Sequence, residues 1–405
     1  MDLGFGESLL VVGALLAIAG ALSGVMRGTV LSISVLSVLL GIVLAALDVV
    51  SVDVRDPNVI HLVELALILT LFADGLVVES ELLRGHWRPA ARAIVVAMPL
   101  TMGMLALAAL ALFPELGVAE AFLLAAVLSP TDPVVTSTVV TAQRVPSLVR
   151  HTLNLESGLN DGRALPFVLF FRVLASPGGD AGSEALDLLG EAAFGALVGV
   201  ALGVFGGRLH DRVPGGVTSR YEGIYALGFG LAAYGLADVT LGNGLIAAFV
   251  AGIALGHTEH EIPKGFIAFS ENVSAIFQLL TFFVFGALIV ATDIGASVWT
   301  LALFIAFALF IARPAAVLAA FAGTGLPRPQ KAFVAWFGPK GVASMLFALY
   351  VLDSGVDSPG LIFGVAAFTI LASITAHGLT DTVGASWIER RMRALDDSAG
   401  DRGET

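Results

Sequence analysis

From residue 7 to residue 382 the chain is a succession of apolar stretches, each about as long as a membrane crossing, separated by short segments that carry charge, glycine or proline. A helix needs roughly 20 such residues to span the hydrocarbon core. The stretches are continuous, not alternating, which excludes the strands of a membrane barrel. Helices satisfy every backbone N–H and C=O internally, so helices are what such a chain must form in lipid. Thirteen stretches can be marked, at about 7–24, 29–47, 60–78, 92–112, 118–141, 149–174, 188–209, 221–237, 241–256, 265–291, 297–322, 331–352 and 359–382. The expected fold class is therefore an all-α polytopic membrane protein with about thirteen transmembrane helices. Only 13% of the residues are charged, against about 25% in a soluble domain. The first stretch has no basic residue before it and no cleavage site after it, and is expected to be a true span.

Lysine and arginine fix the orientation, because cytoplasmic loops hold the positive excess. Sixteen of the 21 fall in one alternating set of connections: Arg27, Arg84, Arg88, Arg92, Arg144, Arg150, Arg208, Arg212, Arg220, Lys264, Arg328, Lys331, Arg390, Arg391, Arg393 and Arg402. The other set holds only Arg55 and Arg172. This puts the amino terminus outside, the tail at 386–405 in the cytoplasm and the protein in the plasma membrane. The outer loops are acidic, with Asp48, Asp53, Asp56, Glu115, Asp238 and Asp357 among their residues; that field either concentrates cations or only solvates the loops. A net charge of −12 excludes nucleic acid as a partner. The absence of cysteine excludes disulfides, thiolate metal sites and cysteine catalysis.

Ionisable groups inside spans cost about 2.5–3.5 kcal/mol each, so they mark ion paths or paired struts. Here Glu64, Asp74, Asp132, Glu156, Asp161, Arg163, Glu271, Arg313 and Lys340 all fall within spans. Asp132 lies in Ser129-Pro130-Thr131-Asp132-Pro133, where two prolines should unwind the fifth span. The twelfth span has a matching break at Phe337-Gly338-Pro339-Lys340-Gly341. An offset of seven spans implies opposite orientations, the pattern of inverted repeats that each give one discontinuous helix to a midplane site. Asp132 can balance the positive helix ends that meet there and Lys340 the negative ends; the alternative is that they bind the cargo.

The sixth span carries Glu156-Ser157-Gly158-Leu159-Asn160-Asp161-Gly162-Arg163. At about 100° per residue Glu156, Asn160 and Arg163 share one stripe, and Asp161 points about 140° away from Glu156. A carboxylate beside a carboxamide and a hydroxyl suits a partly dehydrated Na⁺ or Li⁺. Burial raises the proton affinity of a carboxylate, so Asp161 could hold either a proton or a cation. That competition is what exchange requires.

Taken in order, Ser129-Pro130-Thr131-Asp132-Pro133, the Glu156 to Gly162 run, Arg313-Pro314 and Gly338-Pro339-Lys340-Gly341 resemble the cation:proton antiporter superfamily, in its sodium/proton exchanger branch with an Asn-Asp pair. The resemblance covers nearly the whole chain. It implies a homodimer with a scaffold at 1–80 and 219–292 (spans 1–3 and 8–10). The transporting core would occupy 88–175 and 296–385 (spans 4–6 and 11–13), with a linker helix at 184–210. It implies exchange of Na⁺ or Li⁺ for H⁺ by alternating access, one for one and electroneutral, with no cofactor and no enzymatic reaction. Asp161 would carry the proton or cation, with Asn160, Ser157, Thr131, Glu156 and Asp132 around the ion. Glu156 would pair with Arg313, and Lys340 would stand in the second crossover, where the family often has arginine.

Arg163 departs from the family pattern. It either pairs with Glu64 or Asp74 or lowers the proton affinity of the site. A K⁺/H⁺ exchanger is the nearest alternative function, since one carboxylate does not set cation size; a cation channel is a remoter one, and an intramembrane aspartyl protease lacks its usual sequence context. His257 and His260 sit in a cytoplasmic loop as solvated surface or as a zinc or pH sensor. Arg150 and His151 open the sixth span from the same side, and the tail after about 385 has the composition of a disordered segment.

Overall fold

The computed structural model describes residues 5–26, 33–53, 56–83, 87–132, 139, 142–176, 181–213, 217–258, 264–291, 295–352 and 355–403. Pro133, the side chains of Asp161 and Glu271, and His260 lie outside the described residues. Every regular element among them is a helix. The first half contains α1 (Phe5–Met26), α2 (Ile33–Ala46), α3 (Pro57–Leu83), α4 (Trp87–Arg92), α5 (Met98–Leu112), α6 (Val118–Val127), α7 (Ser147–Ala175) and α8 (Ala181–Arg212). The second contains α9 (Ser219–Asp238), α10 (Gly244–Thr258), α11 (Lys264–Ala291), α12 (Val298–Phe307), α13 (Arg313–Ala320), α14 (Arg328–Trp336), α15 (Val342–Leu352) and α16 (Pro359–Gly403). Six helical stretches are long and apolar enough to cross a membrane, and five shorter apolar helices accompany them. Large side chains such as Leu107, Leu197, Trp299, Leu303 and Phe310 are exposed, as lipid-facing residues of a multi-pass membrane protein must be.

Two π-helical segments join helices end to end, Ala93–Ala97 between α4 and α5 and Ala308–Ala312 between α12 and α13. Each runs into a proline at the start of the next helix, Pro99 and Pro314. A proline has no N–H to give the preceding turn, and one widened turn absorbs the mismatch. These segments fall in the fourth and eleventh apolar stretches, the same offset of seven that separates the two proline-broken spans.

Small residues bring one group of helices into backbone contact. α10 packs against both α8 and α3, and α11 against α2 and α3. A Cβ on Gly203 would come within 2.6 Å of the Ala251 carbonyl oxygen, and one on Gly75 within 2.5 Å of that of Phe249; only glycine permits helices this close. The second group, α5, α6, α7 and α13 to α16, surrounds the two breaks, and α3 meets it at α7 and α15.

At the carboxyl end the expected disorder is not found. α16 continues to Gly403, and as far as Met392 an apolar stripe of Ala385, Trp387, Ile388 and Met392 packs against Phe333 and its neighbours.

Candidate functional site

The fifth span ends its first half where the sequence expects. Glu120 closes the start of α6 by accepting from the Gly117 N–H at 2.9 Å, and its other oxygen takes the Ser358 N–H at 2.8 Å. α6 stops at Val127 because Pro130 cannot donate to the next turn and disfavours the helical conformation at Ser129. The twelfth span stops at Trp336 for the same reason, with Pro339 three residues on, and resumes as α15 at Val342.

The two breaks are bonded to one another. Asp132 N–H donates to the Pro339 carbonyl at 2.8 Å. The Asp132 carboxylate accepts from Val342 N–H at 3.2 Å, at the positive end of α15. Lys340 Nζ donates to the Pro130 carbonyl at 3.3 Å, beyond the carboxyl end of α6. Both side chains are buried. A Cβ on Gly341 would fall on the Asp132 carboxylate, so the crossing has no room for alanine there. Gly341→Ala is accordingly expected to cost about 1–3 kcal/mol through overpacking, read as a lower melting temperature. Gly103→Ala, whose Cβ meets nothing within 4 Å, is expected to leave melting unchanged.

α7 lies against this crossing. Ser157 Oγ donates to the Thr131 carbonyl. Asn160 Nδ2 is 3.4 Å from both the Ser129 carbonyl and Thr131 Oγ1. Among the described residues, Asn160 Oδ1 and Glu156 Oε2 are buried with no hydrogen-bond partner. The other Glu156 oxygen accepts from Arg313 Nη1 at 2.8 Å, while Arg313 Nη2 donates to the Phe337 carbonyl at 3.1 Å. Arg313 therefore ties α7 to the lip of the second break. Asp161 follows Asn160 on α7, and its side chain lies outside the described residues.

Thr131, Asp132, Glu156, Ser157, Asn160, Arg313 and Lys340 are thus brought into one buried cluster. Arg163 is not part of it; it is exposed, and Glu64 instead accepts from the Tyr234 hydroxyl at 2.6 Å. That pair lines a cavity of about 180 Å³, as do Leu165, Leu169, Phe347 and Tyr350. His257 is exposed at the end of α10, far from the crossing in sequence and not among its bonded groups. Sequence reading missed Ser373, which accepts the Lys340 N–H at 3.0 Å, and His377 beside it. Their signal was present as Ser373, His377 and Thr380, polar residues four and three apart on one face of an apolar helix.

Comparison with known proteins places this geometry in a family. The chain is 24% identical over 386 residues to the K(+)/H(+) antiporter NhaP of Alkalimonas amylolytica, a match covering 94% of this chain and 67% of that one. It is 26% identical over 369 residues to Na(+)/H(+) antiporter 2 of Zygosaccharomyces rouxii, covering 80% of this chain and 45% of the yeast protein. The chain thus spans about half to two thirds of the length of these relatives. The fold is similar to that of the sodium proton antiporter MjNhaP1 from Methanocaldococcus jannaschii at pH 8, with a TM-score of 0.75, 18% identity and coverage of 95% of this chain and 99% of that one. Residues 11–383 match the model of the transmembrane sodium/hydrogen exchanger family, and the chain belongs to that family.

Proposed function

We propose that the protein exchanges a monovalent alkali cation, Na⁺ or Li⁺, for a proton across the plasma membrane, with Asp161 as the group that holds one or the other. The observation that carries this reading is the bonding at the crossing. Asp132 and Lys340 cap opposite helix ends, and Glu156 is tied to Arg313. These four formal charges sum to zero, so Asp161 adds the one charge a cation or a proton can neutralise. One carboxylate serving one monovalent guest at a time gives an electroneutral one-for-one cycle. Asn160 Oδ1 and Glu156 Oε2, buried without partners among the described residues, supply hard oxygens for the dehydrated ion together with Ser157 and Thr131.

The helix contacts support a division into two domains. α4 to α7 with α12 to α16 form the moving core, α1 to α3 with α9 to α11 the scaffold through which two copies pair, and α8 the linker. The cavity between Glu64 and Tyr350 then belongs to the outer approach. Arg88, Arg92 and Gln330 line a second cavity of about 560 Å³ at the arginine-bearing end of the core, which supports a cytoplasmic position for those loops. No cofactor takes part. K⁺ is the second reading for the cargo, favoured by the similarity to a protein named as a K(+)/H(+) antiporter.

Proton flux in proteoliposomes, driven in turn by Na⁺, Li⁺ and K⁺ at several pH values, tests the proposal. Na⁺ and Li⁺ should drive saturable flux that an imposed membrane potential leaves unchanged. Flux driven by K⁺ alone would select the second reading, and ohmic current without proton coupling would replace exchange by a channel.

A further inference from the structure

The second break leaves a carbonyl without a helical partner. α14 ends at Trp336, so the Trp336 C=O has no N–H four residues on to receive. In the middle of a membrane water cannot satisfy it cheaply. The group facing it is His377 of α16, fully enclosed, with Nε2 at 2.9 Å. On its other side His377 Nδ1 lies 3.2 Å from Ser373 Oγ and 2.7 Å from the Ser373 carbonyl. Ser373 Oγ in turn accepts the Lys340 N–H at 3.0 Å. Trp336 is held from the same helix a second time, its indole Nε1 donating to Thr380 Oγ1 at 2.9 Å.

One direction of bonding leaves every member of this chain paired. Lys340 N–H donates to Ser373 Oγ, the Ser373 hydroxyl donates to His377 Nδ1, and His377 Nε2–H donates to Trp336 C=O. Either tautomer sets one ring lone pair against a carbonyl, Nδ1 against Ser373 at 2.7 Å or Nε2 against Trp336 at 2.9 Å. The Ser373 carbonyl lies within α16 and takes a helical N–H, whereas that of Trp336 ends its helix without one, so hydrogen-bond balance assigns the proton to Nε2. The two ends of this chain, Trp336 and Lys340, are the two lips of the break. Between them stand Phe337, whose carbonyl takes Arg313, and Pro339, whose carbonyl takes Asp132.

We infer that His377, acting through Ser373, is a positioning residue of the exchanger: it clasps the two lips of the second break to α16 and thereby fixes the spacing of the Asp132, Lys340 and Arg313 contacts. The inference rests on the exchange reading, because the spacing it fixes is that of the ion site. It touches neither cation nor proton in transit.

The test compares His377→Leu, His377→Gln and Ser373→Ala with the parent protein in the same proteoliposome assay, with melting measured alongside. Leucine fills the space but leaves the Trp336 carbonyl without a donor. His377→Leu should raise the apparent KM for the driving cation about tenfold, the scale set by one buried carbonyl left unpaired, with a smaller change in maximal flux. Glutamine can carry an N–H to the position of Nε2, and His377→Gln should return KM to within about threefold of the parent. Ser373→Ala keeps the Trp336 bond and should shift KM in the same direction by less. A His377→Leu protein that melts lower but keeps its KM would make the histidine a packing residue and overturn the clasp. So would a His377→Gln protein as impaired as the leucine variant. Should the leucine variant not insert, Ser373→Ala decides alone, an unchanged KM counting against the clasp. Absence of cation-driven flux in the parent liposomes would instead bring down the exchange reading itself, and the clasp with it.

Discussion

Asp161→Asn should reduce cation-driven proton flux in proteoliposomes to the level of protein-free vesicles, while the protein inserts and melts like the parent. The substitution keeps size and hydrogen-bonding capacity but removes the carboxylate to which the exchange reading gives the carrier role, while the charges of Asp132, Lys340, Glu156 and Arg313 sum to zero without it. An amide neither titrates in the accessible range nor carries the charge that binds an alkali cation. The parent protein should show the complementary behaviour. If one carboxylate serves both guests, the apparent KM for Na⁺ rises about tenfold for each pH unit below the carboxyl pKa, and maximal cation restores the flux. A variant that still exchanges, or a parent whose KM ignores pH, would move the carrier role away from this residue.

The breaks were the most legible feature of the sequence, since proline position alone fixes where a helix loses its donors. α6 and α14 each end three residues before a proline, Pro130 and Pro339, and the charges beside them, Asp132 and Lys340, lie on the helix ends whose sign they oppose. What periodicity could not give was the partner of each group. Arg163 and Glu64 both read as buried charges in need of a mate; in the fold Glu64 is satisfied by a tyrosine hydroxyl from α9, 170 residues away, and Arg163 faces outward. Tyr234 lies inside an apolar stretch and carries no formal charge, its polar atom being a single oxygen at the tip. His377 escaped notice for a related reason: scanning spans for formal charge passes over a neutral imidazole. The π-helical turns before Pro99 and Pro314 were hidden because they concern only the register of backbone hydrogen bonds, which side-chain hydropathy does not record. The tail misled in the opposite direction. Its charges suggested disorder, yet Ala385, Ile388 and Met392 pack against the core and hold the helix there past residue 385.

Arg313→Leu is expected to produce the largest loss of stability of any single change in the core, about 3–5 kcal/mol, because it leaves Glu156 ionised, buried and unpaired. The Phe337 carbonyl would lose its donor in the same stroke. Arg313→Lys should fall between the two, since an ammonium keeps the charge but cannot place two fixed donors on Glu156 and Phe337 at once. Removing both partners, Glu156→Leu with Arg313→Leu, abolishes the buried charge instead of stranding it, and should recover most of the melting temperature lost by the single variant. Equal melting of Arg313→Leu and the parent would show that the pair carries no structural load. The double variant also separates the two oxygens of Glu156. Oε1 is committed to Arg313, whereas Oε2 is buried without a partner among the described residues. If that second oxygen is a ligand, the doubly substituted protein regains its stability yet binds the driving cation more weakly, and its KM rises at unchanged melting temperature. If Glu156 serves only as the anchor of Arg313, stability and KM recover together.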